Sequence, residues 1–142
     1  MFNKKILGIL FISLILFSSL TPVFAEDKDY SIEDYDIFLD ILPNGLLHIN
    51  ESISYNFNGE FNGIYRDIPL KEGESIDNIE ISLSNGIYGT YELLDTDEGK
   101  EIKVYLYSDA AMTQPIKDTS VSVFISYDMV NVTKIYSDTG EV

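Results

Sequence analysis

In residues 46–57, LLHINESISYNF, apolar and polar side chains alternate from Leu47 onward with a single exception. A period of two places Leu47, Ile49, Ile53, Tyr55 and Phe57 on one face of an extended chain, and His48, Asn50, Ser52, Ser54 and Asn56 on the other. A helix, with its period of 3.6, would mix the two sets, so the stretch reads as a half-buried strand. The exception is Glu51, which falls on the apolar side. Shifting the register by one residue would expose Glu51 but bury His48, Asn50 and three further polar side chains. Burying unpaired polar groups costs about 1–3 kcal/mol each, so the register with Glu51 inward is the more stable one. A carboxylate in that position needs a partner.

The same period recurs along the chain. In 31–42, SIEDYDIFLDIL, the residues Tyr35, Ile37, Leu39 and Ile41 share one side and Asp36 and Asp40 the other, which predicts another half-buried strand. Pro43-Asn44-Gly45 is turn chemistry, so these two strands should form a hairpin. Beyond Asn58-Gly59 and Asn62-Gly63, alternating segments recur at 64–70, 76–83, 89–95, 101–108 and 119–130, separated by KEGES, SNG, TDEG and TQPIKD. No helical stripe interrupts them. Seven short strands at roughly ten-residue spacing predict an all-β fold, an antiparallel immunoglobulin-like sandwich over residues 32–142.

Ahead of this domain, residues 1–25 carry Lys4 and Lys5, an apolar run from Ile6 to Leu20, and the small residues Val23 and Ala25. These are the parts of a secretory signal peptide cleaved before Glu26, and the run is shorter than the roughly 20 residues a membrane span requires. The 117 residues that remain of 142 suffice for one domain with a core of its own. Residues 26–31, EDKDYS, read as a flexible mature N-terminus. Loss of Lys4 and Lys5 from nine basic residues leaves seven against 24 acidic ones, a mature charge of −17. Such a chain repels nucleic acid, whose binding depends on basic side chains. With no cysteine there is no disulfide and no thiolate chemistry, so stability must come from packing.

Arg66 is the only arginine and lies among apolar neighbours in IYRDIPL. Its planar fork suits a carboxylate, and pairing with Glu51 would satisfy both groups; the alternative is a surface contact with Asp67 or Asp40. Candidates for chemistry are few. His48 is the only histidine and is expected to be solvated on an edge of the second strand. Asp36, Asp40, Glu51 and Asp67 could supply the carboxylate pair of a glycoside hydrolase, but no tryptophan platform accompanies them. Asp95, Asp97 and Glu98 offer oxygen ligands before Gly99 without the spacing of a calcium loop, and read as a solvated hairpin turn. Asn50 and Asn131 open sequons for N-glycosylation where a host has the machinery. No catalytic residue, metal site or cofactor is assigned. The functional expectation is therefore a binding or structural module at the cell envelope, with a carboxylate hydrolase of surface glycans as the alternative.

The segment NESISYNFNGEFNGIYRDIPL, following YDIFLDILPNGLLHI, resembles the N-terminal extracytoplasmic domain of the YciQ-like predicted membrane proteins, a family of unknown function. The positions that carry the resemblance are Gly45, Glu51, Tyr55, Phe57, Gly63, Arg66, Ile68 and Pro69. It implies an exported β-sandwich followed by a membrane helix, and no catalytic residues. The sequence ends at KIYSDTGEV, where the resemblance implies further strands and a membrane anchor. On that basis the last segment, SVSVFISYDMV, is expected to be an open edge that invites another protein or a second copy.

Overall fold

The computed structural model describes residues 28–132; the expected signal peptide and the residues from 133 onward lie outside the described part. Seven strands follow one another: β1 (Asp29–Ile41), β2 (Leu47–Phe61), β3 (Gly63–Pro69), β4 (Ser75–Leu83), β5 (Tyr88–Thr96), β6 (Gly99–Tyr107) and β7 (Ile116–Val130). They form two antiparallel sheets, one in the order β1-β2-β7-β4 and the other β3-β6-β5. The fold is the all-β sandwich the alternation predicts, four strands against three. Its connectivity has a feature of its own, because β7 rather than β5 is inserted between β2 and β4.

The inward residues of β2, β6 and β7 make the core. Ile102, Val104, Leu106, Ile116, Val121, Val123 and Ile125 are almost wholly buried, with Ile53, Phe57 and Ile68 beside them. Gly63 stands where β3 starts against β6: a Cβ there would lie 2.1 Å from the carbonyl oxygen of Val104, so only glycine fits. Gly45 takes φ 84° in the β1–β2 turn, where its N–H bonds the carbonyl of Leu42 at 2.9 Å.

Four expectations need correction. Residues 29–31 are not a loose terminus but the start of β1, paired with Asn58, Phe57 and Asn56. The strand is not half-buried either, since every residue of β1 is exposed. It is the outermost strand of the four-stranded sheet, and the opposite sheet has only three strands with which to cover four. The expected break at Asn58-Gly59 is absorbed as a bulge between Phe57 and Glu60, and β2 runs on to Phe61. Finally, β7 is no edge: it pairs with β2 on one side and β4 on the other, and it is as buried as β2. The edges are β1 and β4 in one sheet, β3 and β5 in the other.

The two long sides of the sandwich differ. At one, β4 and β5 approach, and the Tyr91 hydroxyl of β5 donates to the carbonyl of Ile79 in β4 at 3.2 Å. At the other, β1 and β3 make no comparable approach.

Candidate functional site

At the open side a buried carboxylate links the two sheets. Glu51 points inward from β2, and its side chain is 1% exposed. Arg66 reaches it from β3, Nε donating to Oε2 at 2.6 Å and Nη2 to Oε1 at 2.8 Å, the parallel two-bond geometry a guanidinium favours. The hydroxyl of Tyr127 on β7 donates to Oε1 at 2.7 Å, and that of Tyr35 on β1 to Oε2 at 3.1 Å. Both oxygens thus accept two bonds each, and four strands from two sheets converge on one group. Arg66 Nη1 donates to the backbone carbonyl of Asp67, so the contact with Asp67 does not involve its carboxylate. Among the described residues, no buried side-chain polar atom lacks a partner.

The electrostatics follow from this saturation. Burial pushes the Glu51 carboxyl upward, but the bonds from Arg66, Tyr127 and Tyr35 and the guanidinium charge outweigh it and hold the group below its ordinary value. The hydrogen bond to Glu51 drives Arg66 further above its usual range. Burial, and then the adjacent carboxylate, raise Tyr127. Burial likewise pushes Tyr55 up to about 12.

Above this network the open side forms a groove of about 530 Å³, walled by Tyr30, Ile32 and Tyr35 of β1 and by Gly63 to Asp67 of β3, with Ile53, Tyr55 and Phe57 of β2 as its floor. The aromatic rings are in mutual contact: Phe57 lies 4.8 Å from Phe61 and 5.5 Å from Tyr55, and Tyr30 meets Phe61 edge-on at 6.1 Å. Arg66, 27% exposed, presents its outer surface here. The inner face of β1 is left bare. A bulge between Ile32 and Asp34 switches the strand's parity, so Tyr30 and Ile32 stand on the same face as Tyr35, Ile37, Leu39 and Ile41. All six are opposite inward residues of β2, and all are more than 40% exposed.

The other sequence candidates are dispersed. Asp36 and Asp40 sit opposite Ser52 and His48, on the outer face of the sheet, away from Glu51. Asp67 alternates to the opposite side of β3 from Arg66. His48 is on that outer face too, but on an interior strand rather than an edge, and it is partnered: its Nδ1 lies 2.6 Å from Oδ1 of Asp128, whose Oδ2 accepts from Asn78 Nδ2 at 2.7 Å. Asp95, Asp97 and Glu98 form the tight β5–β6 turn, where Asp95 pairs with Lys100, and among the described residues no group of carboxylates or histidine is arranged to hold a metal. Asn50 is exposed on β2, while the Asn131 amide donates to the carbonyl of Gly73 at 2.9 Å. Of the positions carrying the resemblance, Tyr55, Phe57, Gly63 and Arg66 line the groove, Glu51 lies beneath it, Ile68 is core and Pro69 ends β3. The roles of Tyr35 and Tyr127 escaped the sequence, because an inward tyrosine is indistinguishable from any other large apolar residue in an alternating pattern.

Residues 31–142 fit the family model described as predicted membrane protein (DUF2207) N-terminal domain. No curated protein and no solved structure matches the chain. Among the described residues, no helix is long and apolar enough to cross a membrane.

Proposed function

The chain belongs to the predicted membrane protein (DUF2207) N-terminal domain family, and from that premise we propose that the sandwich is a non-catalytic, extracytoplasmic binding module whose working surface is the groove between β1 and β3. The observation that carries this reading is the bare inner face of β1: Tyr30, Ile32 and Tyr35 are exposed beside the aromatic floor, and Ile37, Leu39 and Ile41 continue the exposed face beyond it. A contiguous apolar patch rimmed by charge marks an interaction site more often than it marks idle surface. Placement outside the cytoplasm is supported by Lys4, Lys5, the Ile6–Leu20 run and the small residues at Val23 and Ala25.

The alternative, a glycan hydrolase, requires a carboxyl held protonated as general acid beside a second carboxylate. Glu51 is shifted the other way and all its hydrogen-bonding positions are occupied, while Asp36 and Asp40 face the opposite side of the sheet. A neutral apolar dye, Nile red, tests the proposal. The dye should bind the full chain saturably, and Ile32→Asn with Leu39→Asn, both at exposed positions, should weaken it at least tenfold. Dye binding untouched by these changes would remove the groove as the working surface. Turnover of any glycan in a hydrolysis panel, abolished by Glu51→Gln in a protein that remains folded, would replace the binding module with the enzyme.

A further inference from the structure

We propose that the groove takes an extended, basic peptide strand that pairs with the free edge of β3 and lays its alternate apolar side chains on β1; this deepens the reading above and rests on it.

Two surfaces that a strand needs stand side by side. The first is a free ladder. The bonds from Leu106 N to Asn62 O and from Leu70 N to Glu98 O fix the phase of the β3–β6 pairing, so even-numbered residues of β3 face β6. Gly63, Tyr65 and Asp67 therefore present their N–H and C=O groups outward, apart from the Asp67 carbonyl that Arg66 occupies. Pro69 has no N–H to offer, so the usable edge runs from Gly63 to Asp67, about 17 Å at 3.4 Å per residue. The second surface is the bare face of β1. A strand added beside β3 would extend the three-stranded sheet to four and lie over β1, the strand the smaller sheet fails to cover.

Charge selects the occupant. The acidic groups stand along the two edge strands rather than inside the groove: Asp29, Asp34, Asp36 and Asp40 on the outer face of β1, Glu33 at its bulge, and Asp67 on β3, with no basic residue on either strand to offset them, because Arg66 is taken by Glu51. A lysine- or arginine-bearing strand is drawn to this rim. A second copy of the chain, with formal charge −15, brings the same carboxylates and is repelled.

The probe is a nine-residue synthetic peptide alternating valine with lysine and threonine, titrated into the full chain by calorimetry. It should bind at least tenfold more tightly than the same peptide with glutamate for lysine, and at least tenfold more tightly than a version N-methylated on alternate amides. Ile37→Asn with Leu39→Asn should weaken it by a similar factor, and Phe124→Ser, on the outer face, should leave it unchanged. Those first two comparisons require no protein variant. Equal binding of the N-methylated peptide overturns the strand pairing. Sedimentation showing a dimer that Leu39→Asn dissociates assigns the groove to a second copy, and peptide binding that appears only in Ile135→Asp with Tyr136→Asp assigns it to the chain's own C-terminal segment; either overturns the proposal. Nile red binding without peptide binding removes this inference alone, whereas loss of both removes the binding module itself.

Discussion

Glu51 and Arg66 were legible as a pair because each breaks an otherwise apolar face, and two opposite charges stranded inside a small domain have few other ways to be satisfied. The remaining donors were not legible. Tyr35 and Tyr127 reach the same carboxylate from 16 residues before it and 76 after it, and alternation records which face a ring occupies but not where its hydroxyl ends. His48 misled for a related reason: its partner Asp128 is 80 residues away, and Asn78 reaches that carboxylate from a bulge in β4 with φ 52°. The network makes a sharp prediction. Glu51→Gln and Arg66→Met should each cost about 3–5 kcal/mol, since each leaves a buried group uncompensated, and the double change should recover much of the loss. Chemical unfolding of the two singles and the double measures this directly. Effects that add to within about 0.5 kcal/mol would show that the two residues act independently.

Strands proved more legible than their neighbours. Each of the seven was marked by its own period of two and by the turn residues around it, and these are local signals. Pairing order is not local. β1 and β7 carry equally clear alternation, yet β7 is central and buried while β1 is an uncovered edge. The difference lies in how many strands the facing sheet supplies, which no single segment encodes. Residues 29–31 were misread because the bulge after Ile32 reverses the parity, so Tyr30 and Ile32 look out of phase with Tyr35 when all three share a face. Both β1 and β3 are edges, and the acidic residues along β1 are the usual protection of an exposed edge against indiscriminate pairing. Under the proposal above, the same charges favour a basic strand.

At the scale of the molecule, one charged cluster ties the sheets together at the open side, and pH should act through it in both directions. Glu51 has a lowered folded value against an ordinary 4.5, so its contribution is present above 4.5 and is lost as pH falls through the lower folded value. Tyr35, Tyr55 and Tyr127 are all raised from 10.0, Tyr55 to about 12, so the unfolded chain ionises first and stability falls as pH climbs past 10. Each such tyrosine adds up to about 1.4 kcal/mol per pH unit to the slope, and Tyr127→Phe should make it shallower. Denaturant midpoints measured from pH 3 to 12 test this; a flat alkaline limb would mean that the tyrosines titrate alike in the folded and unfolded chains.

On the proposed reading, the open side between β1 and β3 is where this domain meets its partner. The measurement that bears on it most directly is an amide chemical-shift map of the full chain with and without the alternating valine–lysine peptide. The largest shifts should fall on Tyr30 to Ile41 and on Gly63, Tyr65 and Asp67, whose amides point to the groove edge. Shifts centred instead on β4, β5 or the outer face around Phe124, with Tyr65 and Asp67 unmoved, would contradict it.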